Sequence, residues 1–71
     1  MKLTRVNGYG IRYEVSVKDI REAGQQVALC ALDNMAMKRR EATDAGMRAE
    51  GVLAAGEPVA LGPYVFTLDL S

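Results

Sequence analysis

Apolar and polar residues alternate strictly near the start of the chain and again near its end, and between these stretches the spacing lengthens to that of a helix. Ile11, Tyr13, Val15 and Val17 alternate with Arg12, Glu14 and Ser16, the period of a strand with one buried face. Ahead of them Leu3-Thr4-Arg5-Val6 runs into Asn7-Gly8, a pair that tolerates the positive φ of a tight turn, so the two segments are expected to form a hairpin. Loop length decides its register. An even loop puts Thr4 and Val6 on the face of Ile11 and Tyr13, whereas an odd loop, Asn7-Gly8-Tyr9 with Gly10 as a bulge, puts Met1, Leu3 and Arg5 there. The odd loop is favoured because it buries Leu3.

From Val17 to about Glu41 there is no proline, and Ala, Leu, Met, Gln, Glu, Lys and Arg dominate, which predicts one continuous helix. Ser16, three residues before Asp19, supplies a capping pattern. Around that helix Ile20, Ala23, Gly24, Val27, Ala31 and Met35 fall on one stripe, the core face, with residues small enough to sit close against a sheet. Lys38-Arg39-Arg40 closes the helix, where cations favour the negative end of the macrodipole. Residues 42–58 carry a weaker signal. Asp44 is a candidate cap for a short second helix through Ala55, with Met47 and Leu53 as apolar contacts. Gly46 and Gly51 each cost such a helix about 1 kcal/mol, so helix and loop stand as alternatives.

Gly56-Glu57-Pro58 then punctuates the chain. Val59-Ala60-Leu61, a Gly62-Pro63 turn and Tyr64–Leu70 return to β, with Tyr64, Phe66, Leu68 and Leu70 on one face. The expected order is β-β-α-(α)-β-β: a single α+β domain over residues 1–71, one main helix packed on a mostly antiparallel sheet.

Composition narrows the function. Leu, Ile, Val and Phe make up 17 of 71 residues, above the roughly 20% floor of disordered chains. A chain this short buries only about 60% of its unfolded surface, leaving a margin of a few kcal/mol. Nine basic and nine acidic residues cancel, which argues against general polyanion binding. The balance is uneven along the chain: all nine cations lie in residues 1–48, beside six acids, and residues 49–71 hold three acids and no cation. One cysteine, Cys30, forms no intramolecular disulfide and no multi-cysteine metal site. Together with the lack of a signal-like start at Met1-Lys2-Leu3-Thr4 or an apolar run of about 18 residues, this points to a cytoplasmic protein with no membrane partner. Ten alanines and seven glycines suit a GC-rich bacterial or phage genome.

Catalytic chemistry is hard to assemble from these residues. There is no histidine, hence neither the commonest general base nor the commonest zinc ligand, and no Ser-His or Cys-His pair. Gly8-Tyr9-Gly10 leads into a strand and reads as a turn rather than a phosphate loop. Asp19 with Glu22, and Glu41 with Asp44, read as solvated helix-surface charges. Cys30, at the edge of the core stripe, reads as a half-buried inert residue. No enzyme activity, metal or cofactor is expected.

What stands out is a second apolar side on the main helix. Leu29, Leu32 and Ala36 fall about 120–180° from the core axis, where solvent is expected. Either residues 44–55 fold back over Leu29 and Leu32, or these residues meet another protein. With Arg39 and Arg40 beside them they form an apolar centre with a basic edge, the expected partner-binding surface. In its size and lack of catalytic residues the chain resembles small proteins encoded by phages and mobile elements. That resemblance implies a non-enzymatic module binding a larger protein stoichiometrically, for example an inhibitor of a host machine such as a CRISPR effector. Two alternatives stand beside it: nucleic-acid binding through Lys38, Arg39, Arg40 and Arg48, and an obligate homodimer joined by Leu29 and Leu32.

Overall fold

The computed structural model describes residues 1–70. Six elements follow in the order β1 (Lys2–Val6), β2 (Arg12–Ser16), α1 (Ile20–Asn34), α2 (Arg39–Ala54), β3 (Val59–Leu61) and β4 (Tyr64–Asp69). The strands form one sheet in the order β2-β1-β4-β3, every neighbouring pair antiparallel. This is the expected α+β domain, with the optional second helix present and as long as the first.

Register sets the core. Leu3 pairs with Val15 and Leu68, and Phe66 with Arg5 and Val59, so these residues share the face that the helices cover. Leu3, Val17 and Phe66 meet Ala23, Val27 and Cys30 of α1 and Ala49 and Leu53 of α2. The opposite face, with Lys2, Thr4, Val6, Arg12, Glu14, Val65 and Thr67, carries no second layer among the described residues.

The first hairpin takes the odd loop. Asn7 N–H donates to the Ile11 carbonyl at 3.1 Å, leaving Gly8-Tyr9-Gly10 as its tip. The Asn7 side-chain Oδ1 accepts from the N–H groups of Tyr9 and Ile11 at 2.9 and 3.0 Å, and Gly10 takes φ +79°. Leu3 is buried as expected. Ile11 and Tyr13 are not: they are 65% and 55% exposed, although their alternation places them on the core face. β2 is an edge strand, and the core reaches only Val17 and the half-buried Val15.

The helical region differs most from expectation. The predicted helix over 17–41 ends at Asn34, and residues 35–38 turn the chain back into α2. Its cap is Asp19, not Ser16: Asp19 Oδ1 accepts from Glu22 N–H at 2.8 Å, and Glu22 Oε1 accepts from Lys18 N–H at 3.3 Å. At the turn, Ala36 adopts φ +52°, and the N–H groups of Met35 and Met37 both donate to the Ala31 carbonyl. Lys38-Arg39-Arg40 therefore opens α2 instead of closing α1. Lys38 is the N-cap residue and supplies no side-chain cap, so three cations stand at the positive end of a helix dipole.

Candidate protein-binding groove

The two helices run antiparallel and touch backbone to backbone. A Cβ on Gly46 would lie 2.5 Å from the Gly24 carbonyl oxygen and 3.0 Å from Ala28 Cβ; one on Gly24 would lie 2.7 Å from the Gly46 carbonyl oxygen and 2.6 Å from Glu50 Cγ. All four distances are inside normal contact distance. Gly24, read from the sequence as facing the sheet, faces α2 instead, and Gly46, read as a cost to helix formation, is what lets the helices approach.

Close approach of the two axes leaves the larger side chains standing on either side as walls. On the face away from the sheet they enclose a groove of about 740 Å³, with Gly24, Ala28 and Gly46 in its floor and Leu29, Leu32 and Met47 along its sides. Arg21 and Glu50 lie at one end and Thr43 towards the other. Leu29 is 49% exposed and Met47 64%, while Leu32 is half-buried. α2 thus folds back along α1 without covering this apolar side.

The sequence-derived residues separate into two groups. Leu29 and Leu32 lie together in the groove. Arg39 and Arg40 are exposed on the turn of α2 that precedes Thr43, which places them at the groove's Leu32 end. Ala36 does not join them: it sits in the connection between the helices, because α1 has already ended. Lys38, Arg39 and Arg40 are contiguous, whereas Arg48 lies two turns further along α2, on the stripe of Glu41 and Asp44; the four cations form no single basic face.

Met47 is the groove residue that sequence reasoning misplaced, as an apolar contact of the second helix. No sequence signal marks it, because the crossing at Gly46 that turns Met47 into a wall exists only against Gly24. Arg5 is a second surprise. Its guanidinium lies 4.8 Å from the Tyr13 ring centroid and 5.0 Å from that of Tyr64, and Nη1 donates to Cys30 Sγ at 3.4 Å. Cys30 also accepts from Asn34 Nδ2 at 3.7 Å and is buried, deeper than the half-buried position read from the stripe. Arg5 closes the open end of the core between β2 and α1.

Among the described residues, no cluster of three or more Cys, Asp or Glu is arranged to hold a metal ion, and no helix is long and apolar enough to cross a membrane. No family model, curated protein or solved structure matches the chain.

Proposed function

We propose that this chain is a non-enzymatic protein-interaction module that binds a larger protein stoichiometrically, taking an amphipathic helical segment of its partner into the groove between α1 and α2. The observation that carries this is the groove itself: an apolar-sided channel on a domain of 71 residues, with Leu29 half exposed and Met47 largely exposed along it. Helix-in-groove recognition uses this shape, with apolar anchors on one face of the incoming helix. A continuous apolar patch on so small a surface carries an aggregation risk unless something covers it.

The charges at the groove's ends give the partner an orientation. Arg39, Arg40 and the uncapped N-terminus of α2 favour acidic residues at the Leu32 end, and the Arg21–Glu50 end accepts either sign. Occlusion of a segment that a larger machine needs is the mode of inhibition open to such a module.

The test is capture from nuclease-treated host lysate with tagged parent, Leu29→Asp and Arg39→Glu/Arg40→Glu, followed by reconstitution with the purified partner. Leu29 is preferred to Leu32, whose half-burial mixes binding with folding. A partner recovered in equimolar amount with the parent and lost with Leu29→Asp, at unchanged thermal midpoint, is the expected result. Retention by folded Leu29→Asp overturns the groove. Material recovered only without nuclease, with a log–log salt slope of about −0.9 per phosphate, moves the function to nucleic acid and the basic start of α2.

A further inference from the structure

We infer that the free edge of β2 pairs with β2 of a second copy of this chain, antiparallel about a two-fold axis through Tyr13, joining two four-stranded sheets into one. This inference does not depend on the groove, which lies on another face.

The hydrogen-bond pattern fixes which groups are available. Met1 and Val17 exchange N–H···O bonds of 3.0 and 2.9 Å, and Asn7 N–H donates to the Ile11 carbonyl. Alternation along the ladder then turns the backbone groups of Ile11, Tyr13 and Val15 towards β1, and those of Arg12, Glu14 and Ser16 away from it. β2 is last in the sheet order, so among the described residues these outward N–H and C=O groups face no strand of their own chain.

The two edges of the sheet are not equivalent. β3, at the other edge, is three residues long and lies between Pro58 and Pro63, the usual protection against edge pairing. β2 is five residues long, without proline, lysine or bulge.

Charge selects the partner and the register. Two copies meeting about Tyr13 set Arg12 of each opposite Glu14 of the other in hydrogen-bonded pairs, with opposite charges across the join on both sides of the axis. The register centred on Glu14 sets Glu14 against Glu14 and is disfavoured. The same two-fold brings Tyr13 against Tyr13 and Ile11 against Val15 on the helix-bearing face. Those contacts cover Ile11 and Tyr13, the two residues whose pattern calls for burial and which their own chain leaves exposed.

The test is sedimentation across a wide concentration range with the parent, Arg12→Glu, Glu14→Arg and an equimolar mixture of the two variants. The expected parent mass rises from 7.7 kDa to twice that value. Each single reversal sets like charges opposite each other and raises the dissociation constant about tenfold or more. The mixture restores association, because the all-acidic edge of one variant then meets the all-basic edge of the other. A parent that stays monomeric throughout overturns the inference, as does a folded single variant that dimerises like the parent or a mixture of folded variants that does not associate. Amide exchange on the parent needs no variant. The Arg12 and Glu14 amides slow as concentration rises, and slowing confined to groove residues would instead assign self-association to the helices.

Discussion

Alanine at Gly46 tests the helix crossing on which the groove depends. The added Cβ would stand 2.5 Å from the Gly24 carbonyl oxygen, 3.0 Å from Ala28 Cβ and 3.4 Å from the Gly24 carbonyl carbon. Normal carbon contacts lie at about 3.5–4.0 Å, so the helices must separate by roughly 1 Å, enough to forfeit a quarter to a half of each dispersion contact along the crossing. Overpacking of this kind costs about 1–3 kcal/mol, here towards the upper end because the obstructing atom is backbone. Replacing glycine inside a helix returns about 1 kcal/mol. The net expectation is a loss of about 1–2 kcal/mol, or about 5–15 °C in thermal midpoint for a domain of this size. Gly51 is the control: it lies in the same helix, and a Cβ there meets nothing within 4 Å. Gly51→Ala should stabilise by about 0.5–1 kcal/mol. Far-UV circular dichroism melts of the two variants beside the parent read the difference. If Gly46→Ala melts at or above the parent, the backbones do not touch at Gly24 and the groove is wider than described.

Two further substitutions probe the ends of α1. Ala36→Gly relieves a left-handed conformation that costs a residue with a Cβ about 1–2 kcal/mol, so after the entropy of the added glycine it should gain about 0.5–1 kcal/mol; an unchanged or lowered urea midpoint would show that the turn takes another path. Asp19→Ala removes the acceptor for Glu22 N–H and should lower stability by about 1 kcal/mol, with Asp19→Asn close to the parent; equal urea midpoints for the alanine and asparagine variants would remove Asp19 from its capping role.

The strands were legible because each carries its own instruction. Tyr64, Phe66 and Leu68 alternate, Gly62-Pro63 interrupts at the right place, and burial of Leu3 selects between the two hairpin registers. The break between the helices was not legible, because Asn34-Met35-Ala36-Met37 contains neither glycine nor proline and its alanine and methionines favour helix. The chain turns there because Ala42, Ala49 and Leu53 are buried only if α2 folds back, a tertiary demand that local propensity does not express. Similar reasoning explains Gly46, whose local cost is visible in the sequence and whose benefit exists only against Gly24. Of the candidate surface, the apolar pair Leu29 and Leu32 is visible as a second stripe on one helix. The groove is not, since its other wall, Met47, belongs to a helix that the pattern left undecided. Ile11 and Tyr13 show the opposite failure: their alternation is sound, but the helical layer stops short of the edge strand they lie on.

The centre of the sheet is made of β1 and β4, the first and last strands, with Lys2 opposite Asp69 and Val6 opposite Val65. The β1–β2 hairpin and the helix pair join neighbours in sequence, whereas the inner seam needs residues up to Asp69 to have been made. Until then β1 presents an open edge in the middle of the future sheet, and Leu3 lacks the Leu68 strand beside it. Closing so long a loop is the slow step expected of non-local pairing. A nascent or clipped chain that lacks β4 therefore leaves the inner edge of β1 unpaired, a row of open backbone groups that the finished domain hides in the middle of its sheet.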